Sequence, residues 1–193
     1  MFLPRLLLFI LLWTTPFLST AQWAITQWVN TRIDDQLLVQ LPYKTSPELD
    51  KKDPGTKIFT TETENIVLVV GSVDLRYSPK YSSTNTVTVE SLNKSFNRIL
   101  RSQTKALKGF DMKLIAQSNT LFANAPARAV RFSFVDEVRN QPAYLDFIYL
   151  WRGDNIYLLA CAYRLPETVD TVQDRNRFLK SVTFDEAIPA KEL

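Results

Sequence analysis

Residues 143–163 read AYLDFIYLWRGDNIYLLACAY, two apolar and aromatic runs joined at Gly153-Asp154. In the first run Tyr144, Ile148 and Leu150 fall on one side of an extended chain, and Leu145, Phe147, Tyr149 and Trp151 on the other. The second run, Ile156 to Ala162, is apolar throughout. Strands apolar on both faces belong in the middle of a sheet covered above and below. The Gly-Asp pair between them marks a tight hairpin. Strands over Ala143–Trp151 and Asn155–Tyr163 therefore form the predicted centre of the fold.

Upstream, Arg128–Asp136 and Lys113–Ala123 read as two further strands. In the first, Val130, Phe132 and Phe134 alternate with Ala129, Arg131 and Ser133. Before them, the spacing predicts a helix over Val89–Lys108, stopped by Gly109 at the position that favours a left-handed backbone. Leu92, Phe96, Ile99, Leu100, Ala106 and Leu107 share one of its faces at 100° per residue. Four strands are expected ahead of this helix: Trp28–Ile33, Leu37–Leu41, Lys57–Thr63 and Asn65–Asp74. Leu37, Val39 and Leu41 show the period of a half-buried strand. Tyr43–Thr56 and Arg76–Thr86, polar and broken by prolines, read as loops. Downstream, a second helix follows Pro166 and runs to Lys180, with Val169, Val172, Phe178 and Leu179 as its apolar positions. Val182–Phe184 is a short extended end, and 185–193 a loose tail.

The order is four strands, a helix, four strands, a helix. Hairpin spacing predicts a mainly antiparallel sheet, and two helices with two-sided strands predict one helix layer on each face, an α+β architecture of the α/β/α sandwich type. The 193 residues, without an internal repeat or dividing linker, suit one domain. With 46% hydrophobic and 22% charged residues the chain is expected to fold.

The first 21 residues read as a secretory signal. Arg5 supplies the positive start, Leu6–Trp13 the apolar stretch, Pro16 the break, and Ser19-Thr20-Ala21 the small residues of a cleavage site before Gln22. The apolar stretch is shorter than the roughly 20 residues of a membrane span, and no later stretch is long enough. Export to the periplasm or beyond is expected, with residues 22–193 as one mature domain and no transmembrane span. Losing Arg5 lowers the net charge from +3 to +2. Cys161 has no partner for a disulfide and sits in an apolar run, where it reads as a small buried hydrophobe.

Three local pieces carry a resemblance. The first is Leu37–Pro42, a strand ending in proline. The second is the aromatic strand pair joined at Gly153, with Asn155-Ile156-Tyr157 leading into its second strand. The third is Phe178–Phe184, a helix running into a Ser-x-x-Phe strand. Together with the element order, over most of residues 28–186, they resemble the PsbP-like family, whose fold is an antiparallel sheet between helices. The resemblance implies a non-enzymatic binding or assembly role; it carries over no functional residue.

Absences narrow the chemistry. With no histidine and one cysteine, a His base, a His-held metal and a Cys-based zinc site are excluded. There is no nucleophile elbow, phosphate loop or dinucleotide fingerprint, since the four glycines lie far apart. The adjacent acids Asp34-Asp35 and Asp136-Glu137 fall at expected turns, where carboxylates cap backbone groups. No calcium-loop spacing occurs. The chain is read as having no catalytic residues, no metal and no cofactor.

Two features remain. Asp146 interrupts an apolar strand, and Arg131 is read as interrupting the inward pattern of the strand before it; if the two strands form a hairpin, the pair makes either a structural ion pair or a polar spot in a ligand cavity. On the long helix, Lys94, Arg98, Arg101, Lys105 and Lys108 recur at steps of 4, 3, 4 and 3, within about 80° of arc opposite the apolar side. Glu90 is the one acid of that face. It reads either as a solvated surface or as an anion-facing one. No aromatic residues alternate with these charges, so nucleic acid is not expected. The overall expectation is an exported, non-enzymatic binding or accessory protein of the cell envelope, docking on an envelope protein or an anionic membrane surface. The alternative is a small-ligand binder or hydrolase with a cavity near Asp146 and Arg131.

Overall fold

The computed structural model describes residues 27–50, 53–78, 88–107 and 110–185. The expected signal at 1–21, loop residues 79–86, Lys108, Gly109 and the tail from 186 lie outside the described residues. In chain order the elements are β1 (Val29–Arg32), β2 (Leu37–Leu41), β3 (Glu48–Asp50), β4 (Asp53–Glu62), β5 (Ile66–Asp74), a 3-10 turn (Leu75–Tyr77), α1 (Val89–Leu107), β6 (Lys113–Phe122), β7 (Ala125–Asp136), β8 (Gln141–Arg152), β9 (Asn155–Arg164), α2 (Val169–Lys180) and β10 (Thr183–Phe184).

The strands form two sheets, one of seven strands in the order β3-β4-β5-β9-β8-β7-β6 and one of three, β1-β2-β10. Every strand pairing described is antiparallel. The aromatic hairpin β8–β9 lies inside the large sheet, flanked by β5 and β7, as its two-sided apolar pattern requires. Its turn is closed by Gly153 at φ +55, paired from Arg152 to Asn155. At the next hairpin Ala123 and Asn124 both adopt positive φ, the backbone of a tight two-residue turn.

Alternate residues of the central strands enter two separate cores. Leu158, Ala160 and Ala162 of β9 pack with Leu92, Phe96, Ile99, Leu100 and Leu107 of α1. Tyr157, Leu159, Cys161 and Tyr163 pack with Phe178 of α2 and with Leu37, Val39 and Leu41 of β2. Leu92, Phe96, Ile99, Leu100 and Leu107 of the apolar stripe are thus buried as their spacing predicts. A polar residue, Gln103, is buried in the same core, where its Oε1 accepts from the Tyr149 hydroxyl.

Helix starts follow capping chemistry. Thr88 Oγ1 accepts from the Ser91 backbone N–H at 3.1 Å while Ser91 Oγ accepts from that of Thr88 at 2.9 Å, a reciprocal box at the head of α1. Thr168 accepts from the Thr171 N–H at 3.1 Å at the head of α2.

Three expectations need correction. The segment 43–56 is not all loop: β3 lies within it and β4 begins at Asp53, paired with it from Glu48↔Ile58 to Asp50↔Asp53. The strands make two sheets, not one, because β10 returns to pair Thr183 with Leu38 and Phe184 with Leu37 on the edge of β2. Val169 is 72% exposed, because as the first residue of α2 it precedes the part of the helix that buries Phe178.

Candidate functional site

Arg131 of β7 and Asp146 of β8 are directly opposite in register. The guanidinium donates from Nε to Asp146 Oδ1 at 2.6 Å and from Nη2 to Oδ2 at 2.8 Å, a bidentate pair. Tyr163 of β9 donates its hydroxyl to the same Oδ2 at 2.8 Å. Arg175 of α2 stands 4.0 Å from Asp146 and 2.8 Å from Glu167. Arg131 lies over the Tyr144 ring and Arg175 over the Tyr163 ring, with centroid distances of 4.9 and 4.6 Å. Burial, then the Asp146 charge and its hydrogen bond, push the Tyr163 phenol above its ordinary range. Hydrogen bonding to Asp146 raises the Arg131 guanidinium further above its already high range.

The pair is less buried than a covered sheet would make it: the Arg131 side chain is 39% exposed and Asp146 23%. Arg131 shares its side of β7 with Ala129 and Ser133, not with the inward Val130 and Phe132. It lines a groove of about 310 Å³ with Asp146, Ala129, Ile148, Cys161 and Leu179. Arg131 and Asp146 thus pair across the hairpin and border this groove. The carboxylate, however, already serves three donors, and Cys161 is buried with its thiol pushed up, mainly by burial. Neither group is poised as a base or nucleophile.

One carboxylate of each acid pair is likewise engaged. Asp34 accepts from the N–H groups of Gln36 and Leu37 at 2.9 and 2.8 Å, and from Ser72 Oγ at 3.0 Å. Asp136 accepts from the Val138 N–H at 3.1 Å and from Arg164 Nε at 2.5 Å. Among the described residues no three Cys, Asp or Glu side chains gather as a metal site would need.

On α1, Lys94, Arg98, Arg101 and Lys105 are all exposed. The fifth member of the expected stripe, Lys108, lies outside the described residues. None of the four makes an ion pair among the described residues, whereas Arg32, Arg76, Arg131, Arg164 and Arg175 each do. A shallow depression of about 620 Å³ follows this face, lined by Glu90, Asn93, Lys94, Asn97, Arg98 and Arg101.

Beneath that depression is a residue that sequence reasoning passed over. Arg128 of β7 is only 8% exposed. Its guanidinium donates to three neutral amide oxygens, of Asn93 and Asn97 on α1 at 3.3 Å each and Gln117 on β6 at 3.4 Å. These are long beside the usual 2.9–3.0 Å. Among the described residues its Nε has no hydrogen-bond partner, and its Cζ lies 6.0 Å from the Phe96 ring centroid. The signal was present: Arg128 continues the inward parity of Val130 and Phe132 by one step.

No family model matches the sequence, and no curated protein matches it either. Solved structures do. The solution structure of cyanobacterial PsbP from Synechocystis sp. PCC 6803 matches over 89% of this chain and 100% of its own, at 14% identity and a TM-score of 0.53. LpqN of Mycobacterium tuberculosis, described as involved in cell envelope biogenesis, matches over 83% and 91% at 11% identity and a TM-score of 0.44. A Pseudomonas aeruginosa protein of unknown function matches over 77% and 88% at 10% identity and a TM-score of 0.38. The likeness to the cyanobacterial protein shows a PsbP-like fold, and at that identity it is a likeness of fold alone.

Proposed function

We propose that this PsbP-like fold is a non-enzymatic accessory protein of the cell envelope, layered with one helix on each face of the large sheet, that docks on an anionic membrane surface through α1. The observation that carries the reading is the set of four exposed basic residues, Lys94, Arg98, Arg101 and Lys105, without ion pairs among the described residues. The layering is supported by the two cores, one holding α1 and the other Phe178 of α2. Export is supported by the signal pattern of residues 1–21.

Near an anionic leaflet each basic residue is worth about 1 kcal/mol, so four supply up to roughly 4 kcal/mol at low salt. Screening over about 8 Å at physiological ionic strength weakens this strongly. The apolar side of α1 is committed to the core, so the contact is peripheral and the helix does not insert. No helix among the described residues is long and apolar enough to cross a membrane. The alternative, chemistry at Arg131 and Asp146, is disfavoured because that carboxylate already accepts from three donors and is neutralised by a bidentate guanidinium.

Sedimentation with neutral and anionic vesicles at two salt concentrations tests this. The protein is expected to pellet with anionic vesicles at low salt, less at high salt, and not at all as the K94E/R98E/R101E/K105E variant. Absence of the wild-type protein from the anionic pellet at low salt overturns the reading.

A further inference from the structure

Arg128 is a cation placed where cations are rarely left alone. A guanidinium nine-tenths buried is ordinarily held by a carboxylate, because removing a charge from water costs several kcal/mol unless an opposite charge offsets it. Here the nearest partners are three amide oxygens at long range, one guanidinium nitrogen has none, and no acid among the described residues pairs with it.

Two of the three amides that hold Arg128, those of Asn93 and Asn97, also line the depression on α1. Asn93 and Asn97 are four residues apart on one row of the helix, and Arg101 continues that row. Each asparagine turns its carbonyl oxygen to Arg128, which leaves the NH₂ end as its donor for any other partner. Lys94 and Arg98 stand on the adjoining row. The depression therefore offers two amide donors, an ammonium and two guanidinium groups above a buried positive charge. Glu90, at its N-terminal end, is the one acid.

Among the described residues this lining sets three cations against one acid, and the donor number suits a tetrahedral anion with several oxygens better than a carboxylate with two. We propose that the depression between Asn93, Lys94, Asn97, Arg98 and Arg101 binds the phosphate of an anionic lipid headgroup, with Arg128 as its buried counter-charge. Lys105 extends the same positive face beyond the depression, which matches a plane of headgroups better than one dissolved ion. The proposal rests on the membrane-docking reading and adds a ligand chemistry to it.

The test compares phosphatidylcholine vesicles containing phosphatidic acid with vesicles brought to the same surface potential by cholesteryl hemisuccinate, whose charge is a carboxylate. Wild-type protein is expected to bind the phosphatidate vesicles about tenfold more tightly, a preference of one power of ten in Kd. The N97D variant places a carboxylate beside Arg128. It is expected to melt at higher temperature than wild type and to lose the tenfold preference. Q173E, with the same charge change at an exposed position of α2, is expected to keep it. Equal binding to both vesicles, or retained preference in N97D, overturns the phosphate site while the docking reading stands. No binding to either vesicle overturns both. Inorganic phosphate that raises the melting temperature of the vesicle-free protein, and displaces it from phosphatidate vesicles at millimolar concentration, overturns the lipid in favour of a free anion.

Discussion

Arg131 and Asp146 face each other across β7 and β8 and share two hydrogen bonds of 2.6 and 2.8 Å, with the Tyr163 hydroxyl on the same carboxylate. Asp146 thus joins three central strands through side chains on one face of the sheet. Replacing Asp146 by Asn leaves one acceptor oxygen for three donors and removes the charge that balances Arg131 and Arg175. A loss of about 1–3 kcal/mol is expected in urea unfolding. An Asp146→Asn protein as stable as wild type would show that the pair contributes little.

The same substitution shifts a titration. Tyr163 is held above its ordinary range by burial first and then by the Asp146 charge, while Arg175 and Arg131 pull it down. With Asp146 neutral, burial alone is left to oppose the two cations. The Tyr163 midpoint, followed by tyrosinate absorbance, is expected to move to lower pH in Asp146→Asn. No movement would mean that burial alone sets it.

Much of this arrangement was legible before the structure. The two-sided apolar runs placed β8 and β9 inside the sheet, and Gly153 located their turn; a hairpin between β7 and β8 allowed the two charged residues to meet, and the register that pairs Arg131 with Asp146 came only from the structure. What was not legible shares two causes. β3 has three residues and β10 two, too few for a period to show. The pairing of β10 with β2 joins residues some 145 apart, as in Thr183↔Leu38, through packing that no local pattern carries. Arg128 escaped for another reason: a charged residue at the start of a strand is read as solvated by default, although its parity with Val130 placed it inward. The four basic residues of α1 described here were visible from spacing, but their lack of ion pairs was not.

Asp174 of α2 works against stability at neutral pH. Burial raises its carboxyl above the ordinary value, outweighing the hydrogen bond from Thr63 Oγ1 at 3.0 Å. A carboxyl raised in the folded state costs stability above that pKa and costs nothing once protonated in both states. Asp174→Asn is therefore expected to gain about 0.5 kcal/mol at pH 7, a small value because the group is partly solvated. The gain should vanish below the ordinary carboxyl range. A gain that persists unchanged at pH 3 would assign it to packing instead.

Gly55 of β4 is required by closeness, not by φ. A Cβ built there would meet the Asp74 carbonyl oxygen at 2.8 Å and Tyr77 Cβ at 2.9 Å. Tyr77 Cβ is fixed to its own backbone and no rotamer change moves it, and the carbonyl belongs to the backbone that opens the 3-10 turn, where Asp74 Oδ1 caps the Arg76 N–H at 2.9 Å. Gly55→Ala is expected to cost about 1–3 kcal/mol through overpacking. Chemical denaturation would show it as a lower midpoint with an unchanged slope. An unaltered midpoint would mean that β4 and the turn separate freely.

Cys161 decides how the fold tolerates an oxidising compartment. It is 2% exposed in β9, and burial together with the Asp146 charge raises its thiol, so thiolate is scarce at neutral pH. Reaction with a thiol reagent needs both access and the thiolate form. In the native protein both require opening of the β8–β9 core, where Asp146 and Cys161 are register partners. Labelling by a chromogenic disulfide at pH 8 is expected to be slow and to accelerate along the urea unfolding curve. Asp146→Asn, by destabilising the same strands, should speed it. Immediate labelling of folded wild-type protein would contradict this, and would predict covalent dimers under oxidising conditions that a buried thiol does not form.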